Sequence, residues 1–169
     1  MFSSSILKNS PSLFLKTNGS YNTSSVVSLG ILTYILNNLL TETYDYKMIG
    51  YTSPTLMSIS NDLDSKYAVK SGSTETDYWT IGYNKNYLMM VWAGNDDNDK
   101  VKARDSKITK KIWSKTITKI KTNKKEWYEI PKGITASSIN PLTGEYKENG
   151  IVCFYEKGTE PNYIDKYSN

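Results

Sequence analysis

Four consecutive residues, Lys70-Ser71-Gly72-Ser73, combine a positive charge, two hydroxyl groups and a glycine. Lys70 supplies a fixed cation, and the hydroxyls of Ser71 and Ser73 can donate hydrogen bonds to a carboxylate. Gly72 lets another backbone approach closely, and the N–H group of Ser73 can point at an oxygen that gains negative charge during a reaction. Thr74 adds a third hydroxyl. The run predicts a place that holds an anionic substrate, although such runs also arise by chance in Lys- and Ser-rich chains.

Composition removes several kinds of chemistry from this chain. Its 169 residues contain no histidine, so no imidazole is available as a general base or as a metal ligand. Cys153 is the only cysteine, which excludes an internal disulfide and a thiolate metal cluster. We therefore expect no metal and no cofactor, and we interpret Cys153 as a small buried apolar residue.

Apolar periodicity predicts helices packed on an antiparallel sheet, because the central strands follow one another through loops too short for a crossover. In the first helix, Ile31, Tyr34, Ile35 and Leu39 recur at helical spacing, and neighbouring leucines at 32, 36 and 40 widen that stripe. We expect this stripe to face the core. The predicted helices cover residues 26–41, 53–62 and 105–122, and the predicted strands cover residues 67–71, 78–83, 87–93, 134–139 and 151–155.

Positive charge is concentrated between Lys100 and Lys125, where ten lysines and one arginine face a single acid, Asp105. Such a block suits a polyanion such as a wall polymer, anionic lipid or nucleic acid. The simpler interpretation is the solvated face of the helix at 105–122. That helix turns Trp113 and its isoleucines towards the core, which leaves no aromatic platform for bases, so we expect no nucleic-acid partner.

The flanking sequence resembles the transpeptidase domain of the class A, bifunctional penicillin-binding proteins. In that family a Lys-Thr-Gly or Lys-Ser-Gly motif is followed by an Asp-x-Trp-Phe-x-Gly-Tyr strand and a Val-Trp-x-Gly-x-Asp-Asp strand. The resemblance extends over residues 26–161 in the family's order. The motifs that carry it are Lys70-Ser71-Gly72-Ser73, Asp77-Tyr78-Trp79-Thr80-Ile81-Gly82-Tyr83, Val91-Trp92-Ala93-Gly94-Asn95-Asp96-Asp97, Lys111-Ile112-Trp113, Ile130-Pro131-Lys132-Gly133-Ile134, Thr143-Gly144 and Gly158-Thr159-Glu160-Pro161.

The resemblance implies a serine acyltransferase that acts on the D-Ala-D-Ala end of a peptidoglycan stem peptide and that β-lactams acylate. Mapped onto this chain, Lys70 would assist catalysis electrostatically. Ser71, Gly72, Ser73 and Thr74 would bind substrate, with the Ser73 amide forming half of the oxyanion hole. The implied fold is α+β: three antiparallel strands of a penicillin-binding/β-lactamase-like sheet packed with helices, plus a small C-terminal β tail. The implied location is the extracytoplasmic face of the bacterial membrane.

The family's nucleophile motif, Ser-x-x-Lys, has no well-placed counterpart. Ser5-Ile6-Leu7-Lys8 and Ser20-Tyr21-Asn22 have the letters of Ser-x-x-Lys and Ser-x-Asn, but they are crowded together before the first core helix. We therefore expect a C-terminal transpeptidase portion that is inactive alone, with a separate chain as one source of the missing half. The alternative is a non-catalytic module that binds wall polymer or another polyanion through the helix at 105–122.

The expected organisation has three parts: a poorly defined segment at 1–25, the transpeptidase-like region at 26–122 and a β-rich tail at 123–169. No signal peptide or transmembrane segment is predicted, since the apolar stretch at 26–40 is too short to span a bilayer. The family's early strands are not recognisable. The strand at 87–93 should therefore have an unpaired, aggregation-prone edge unless residues 12–16 or another chain cover it.

Overall fold

The computed structural model describes residues 2–8, 23–97, 99–120 and 127–161. It contains a four-stranded antiparallel sheet and a separate two-stranded hairpin, with two main helices. The α+β fold class is therefore confirmed. In chain order the elements are β1 (Phe2–Lys8), α1 (Thr23–Leu39), β2 (Ala68–Ser73), β3 (Asp77–Tyr83), β4 (Tyr87–Gly94), α2 (Ala103–Ile117), β5 (Ile134–Ile139) and β6 (Ile151–Glu156).

The three central strands lie within two residues of their predicted positions, and local chemistry explains the turn between β3 and β4. The side-chain oxygen of Asn84 accepts hydrogen bonds from the N–H groups of Asn86 at 2.9 Å and Tyr87 at 3.0 Å. The Asn84 N–H donates in turn to the Tyr87 carbonyl at 2.9 Å. An asparagine that replaces backbone partners in this way favours a tight turn, which sets the antiparallel register of the two strands.

The main core lies between the sheet and α2. Trp113 and Ile117 of α2 are fully buried against Val69 of β2 and against Met89 and Val91 of β4. The Trp113 indole donates to the Met89 carbonyl at 2.9 Å, so the ring is fixed in position as well as buried. This packing fixes the face of the sheet that α2 covers.

The predicted helix at 105–122 differs from α2 at both ends, because α2 begins at Ala103 and ends at Ile117. The predicted helix at 53–62 is wrong in type and extent, since only Met57–Asp62 is helical and it is a 3-10 helix. Two shorter 3-10 turns, Glu42–Tyr44 and Tyr46–Met48, precede it.

The orientation predicted for α1 is wrong for its leucines. Ile31 and Tyr34 are buried as expected, but Asn37 and Asn38 share the buried face while the leucines at 32, 36 and 39 are exposed. The asparagines are stable inside because both are hydrogen-bonded: the Asn37 side-chain oxygen accepts from the Tyr83 hydroxyl at 2.8 Å, and that of Asn38 accepts from Lys66 Nζ at 2.9 Å.

The expected unpaired edge at β4 is also wrong. β1 pairs antiparallel with β4 over its whole length, from Phe2 opposite Ala93 to Lys8 opposite Tyr87, and gives the strand order β1-β4-β3-β2. The predicted cover at residues 12–16 lies outside the described residues. A paired β4 no longer offers an apolar edge for aggregation.

The tail forms the predicted hairpin, in which β5 pairs with β6 from Ile134 opposite Glu156 to Ile139 opposite Ile151. It packs on α1 through Phe154, whose ring meets that of Tyr34 edge-to-face at a centroid distance of 5.3 Å. In the part of the chain that the structure describes, no helix is both long enough and apolar enough to cross a membrane. The division into segments 1–25, 26–122 and 123–169 stays a prediction.

Candidate functional site

The candidate site lies on the outer edge of β2, which is the terminal strand of the sheet on the side opposite β1. The Val69 N–H donates to the Leu40 carbonyl at 3.3 Å, and the Val69 carbonyl accepts from Thr43 Oγ1 at 2.9 Å. Both groups therefore point away from β3. Backbone polar groups repeat their direction every second residue of a strand, so those of Ser71 and Ser73 also point outward. This edge is suited to receive another backbone.

Lys70 is exposed and its ammonium group lies on this same edge, where Nζ donates to the outward-facing Ser71 carbonyl at 2.7 Å. The β2–β3 register is unbroken and pairs Lys70 with Ile81, which places the root of the lysine side chain on the face away from α2. The lysine side chain therefore bends from that face towards the strand edge, where its ammonium group lies. It lies beside the backbone groups that a ligand strand would meet.

The Ser71 side chain lies on the opposite face. Its cross-strand partner Thr80 is buried, and the Thr80 hydroxyl donates to Thr109 of α2 at 3.3 Å. Because directly opposed residues share a face of the sheet, the Ser71 side chain lies on the face that α2 covers. Ser71 Oγ donates to Thr55 Oγ1 at 3.1 Å, and the Thr55 carbonyl accepts from Lys110 Nζ at 2.8 Å. A chain of contacts therefore joins the motif strand to α2 through Thr55.

Thr55 and Lys110 were missed in the sequence analysis. They lie 16 residues before and 39 residues after Ser71, and only the fold brings them to the site. Burial lowers the pKa of Lys110, and repulsion from Lys70 and Lys107 lowers it further. The site thus has a second ammonium group close enough to the first for their charges to interact.

Thr74 has a structural task that the motif did not indicate. Its hydroxyl accepts from the Asp77 N–H at 2.9 Å and from the Thr76 N–H at 3.2 Å, and its own N–H donates to the Asp77 carbonyl at 2.9 Å. The residue thereby closes the turn between β2 and β3. Its hydroxyl is already engaged within the turn, although Thr74 is exposed, as Gly72 and Ser73 are.

Two of the recognised motifs contact each other next to this turn. Trp92 donates from its indole to Asp77 Oδ1 at 2.7 Å, and the ring occupies the space that a Cβ on Gly94 would need. Hydrogen bonds from Thr76 and Trp92 lower the pKa of Asp77. The Asp-x-Trp and Trp-x-Gly patterns are thus one packing unit that supports the end of β2.

The segment Ser5–Lys8, whose sequence matches Ser-x-x-Lys, lies far from this edge. Ser5 pairs with Met90 in the register of β1 with β4, so β4 and β3 stand between it and β2. Three strand spacings amount to about 14 Å. Ser20-Tyr21-Asn22 lies outside the described residues, and among those that are described no cluster of three or more potential metal ligands occurs.

Comparison with known proteins gives a consistent result. No protein-family model matches the chain. The chain is 34% identical over 134 residues to penicillin-binding protein 2D of Bacillus subtilis, a match that covers 76% of this chain and 19% of that protein. Its fold resembles the crystal structure of penicillin-binding protein 1A from Haemophilus influenzae with a TM-score of 0.63 at 23% identity, covering 79% of this chain and 21% of that one. The chain therefore spans about a fifth of each relative's length.

Proposed function

Since this chain corresponds in sequence and fold to part of a penicillin-binding protein transpeptidase domain, we propose that the outer edge of β2 forms one wall of a peptidoglycan D,D-transpeptidase site. The resemblance found in the sequence motifs is confirmed by the match to penicillin-binding protein 2D. The observation that carries the proposal is the outward direction of the Ser71 and Ser73 backbone beside the Lys70 ammonium.

Each residue of the motif then has a role that its position supports. The Ser73 hydroxyl donates to the terminal carboxylate of the stem peptide or of a β-lactam, and Lys70 adds positive charge beside it. Ser71 joins Ser73 in holding the carboxylate when its hydroxyl turns away from Thr55 Oγ1. The Ser73 N–H stabilises the oxyanion that forms when a serine attacks the substrate carbonyl. That attack makes an ester and breaks the amide bond, and the terminal D-alanine departs with the proton from the serine hydroxyl.

The presence of glycine at position 72 is an argument for a ligand on this edge. A Cβ there would lie 3.6 Å from Trp79 Cβ, which is an ordinary contact, so packing on β3 does not require glycine. Glycine is also useful where a second backbone must come close. The space that Gly72 leaves open faces solvent and is available to a substrate strand.

We further propose that the chain does not acylate by itself. Its one Ser-x-x-Lys match among the described residues belongs to β1, at the far side of the sheet from Lys70. The nucleophile then comes from another part of a transpeptidase domain. The partners of the assembled site are the stem peptide and β-lactams, and its place is the extracytoplasmic face of the membrane. Neither comparison favours the alternative of a polyanion-binding module built on α2.

The test pairs this chain with a Bacillus subtilis penicillin-binding protein 2D from which the matching stretch has been deleted, and measures labelling by a fluorescent penicillin. Ser73→Pro removes the outward N–H without breaking the ladder, because proline is tolerated where an edge N–H faces solvent. Ser73→Ala is the matched control that keeps the N–H. Loss of one oxyanion donor typically costs about 10²–10³-fold in rate.

We expect that loss with Ser73→Pro, at least tenfold slower labelling with Lys70→Ala, and a smaller effect with Ser73→Ala. Labelling of the pair that is unchanged by Ser73→Pro and by Lys70→Ala would contradict the assignment of the β2 edge.

A further inference from the structure

The two hydroxyl groups that the proposed function assigns to the substrate carboxylate lie on the face of the sheet that α2 covers. Ser71 is opposite Thr80, whose hydroxyl donates to Thr109 of α2, and Ser73 lies further along β2 on the same face. The side chain of Lys70 begins on the other face, and only its ammonium group reaches the strand edge. With Lys70 alone, a carboxylate beside these hydroxyls would meet positive charge on one side only.

Lys110 of α2 brings a second positive charge to the side on which the hydroxyls lie. Its Nζ donates to the Thr55 carbonyl at 2.8 Å, and Thr55 Oγ1 accepts from Ser71 Oγ at 3.1 Å. Both groups thus bind atoms of the same residue, which holds the ammonium group and the hydroxyl on one side of the strand edge. Lys110 is half-buried, whereas Lys70 is exposed, so the Lys110 side chain is the more restricted of the two.

Neither Lys70 nor Lys110 forms an ion pair with a carboxylate in the part of the chain that the structure describes. By contrast, Lys115 of the same helix contacts Asp62 at 2.7 Å. Burial lowers the pKa of Lys110, and repulsion from Lys70 and Lys107 lowers it further. An anion between Lys70 and Lys110 would offset that repulsion, because opposite charges attract more strongly where water is partly excluded.

We propose that Lys110 is a specificity-determining residue of the substrate site, and that it contacts the terminal carboxylate from the α2 side while Lys70 contacts it from the strand edge. This role rests on the proposed function and adds a residue outside the Lys-Ser-Gly motif to it. The ligand that fits two such cations is a peptide with a free carboxylate at its end, or a ring that carries an equivalent carboxylate.

Lys110 can take this role without giving up its contact with Thr55. An ammonium group has three N–H donors, and the bond to the Thr55 carbonyl uses one of them. A peptide that ends in an amide carries no charge for either lysine, so binding it leaves both positive charges uncompensated at the edge. The two lysines therefore select for the charged end, since specificity is the difference between the two affinities.

The test measures binding of N-acetyl-D-alanyl-D-alanine, and of the same dipeptide with a C-terminal amide, to the isotope-labelled chain. NMR titration follows the N–H signals of Ser71 and Ser73. Lys110→Met removes the charge and keeps the aliphatic chain, and Lys110→Arg restores a charge. The matched control is Lys111→Met, which removes the same charge from an exposed neighbouring position of α2. The spread of the N–H signals checks that each variant is folded, and Lys110→Gln serves if the methionine variant is not.

We expect Lys110→Met to weaken binding of the acid by about five- to thirtyfold, because a partly buried hydrogen bond between charged groups is lost. Binding of the amide should not change. Lys110→Arg and Lys111→Met should keep the preference for the acid. An unchanged preference in Lys110→Met, an equal loss in Lys111→Met, or no binding of the acid to the unaltered chain would each overturn the proposal.

Penicillin labelling of the chain paired with the deletion protein separates this proposal from the function on which it rests. A preference for the acid that depends on Lys110, in a pair that takes up no penicillin, would keep the carboxylate site and remove the transpeptidase role. Labelling that needs Lys70 and the Ser73 N–H but is unchanged by Lys110→Met would keep the transpeptidase role and overturn the assignment of Lys110.

Discussion

Replacing Gly82 with alanine should destabilise the fold more than any other single-methyl addition in β2 or β3. The glycine lies beneath the indole of Trp113, and a Cβ there would overlap the ring and lie 2.9 Å from Val69 Cγ2. Neither neighbour has space to retreat, because Trp113 and Val69 are both fully buried. Alanine at this position must therefore displace α2 or distort β3.

Two contributions set the expected loss of unfolding free energy in Gly82→Ala. Overpacking a well-filled core typically costs about 1–3 kcal/mol. A shift of the ring also weakens the 2.9 Å hydrogen bond from the Trp113 indole to the Met89 carbonyl, which is worth about 1 kcal/mol. We expect Gly82→Ala to lower the free energy of unfolding by about 2–4 kcal/mol.

The same substitution at Gly30 is a matched control with the opposite sign. Gly30 lies inside α1, and a Cβ there would meet no atom within 4 Å. Alanine is favoured over glycine in a helix interior by about 0.5–1 kcal/mol, so Gly30→Ala should stabilise. Urea unfolding followed by tryptophan fluorescence measures both variants. A Gly82→Ala protein within 0.5 kcal/mol of the unaltered chain would refute the packing described for Trp113.

Two further substitutions test contacts near the site. The lowered pKa of Asp77 means that its carboxylate stabilises the fold above its ordinary pKa of 3.8 and loses that effect as the pH falls through the lower, folded value. Asp77→Asn should therefore be less stable than the unaltered chain at pH 7 and should lose less stability between pH 7 and pH 3. Urea unfolding at the two pH values measures this loss. An equal loss in both proteins would contradict the contact with Trp92. Tyr83→Phe leaves the buried oxygen of Asn37 without its donor and should cost about 1–3 kcal/mol in the same assay, so a cost under 0.5 kcal/mol would argue against the orientation of α1.

Features encoded by neighbouring residues were predictable from the sequence. Strand alternation and the Asn84 turn located β2, β3 and β4, because the period of a strand and the chemistry of a tight turn are both local. The glycines of the recognised motifs also carried information. Gly82 and Gly94 mark the places where the rings of Trp113 and Trp92 lie against the sheet.

Features that depend on distant partners were not predictable. Apolar periodicity predicted that the leucines of α1 are buried. It could not show that Tyr83 and Lys66 donate hydrogen bonds to Asn37 and Asn38, which allows the asparagine face of the helix to be buried instead. The Ser-rich β1 has no alternating pattern of its own and is recognisable only by its pairing with β4. Likewise Thr55 and Lys110 join the site through the fold alone.

The central claim is that this chain supplies a substrate-holding edge and no nucleophile. Intact-mass spectrometry after incubation with penicillin tests it most directly, first with the chain alone and then with the chain paired with the penicillin-binding protein 2D deletion protein. We predict no added mass on this chain in either sample and a penicilloyl adduct on the partner in the second. A penicilloyl adduct on this chain alone, at Ser5 or at any other serine, would contradict it.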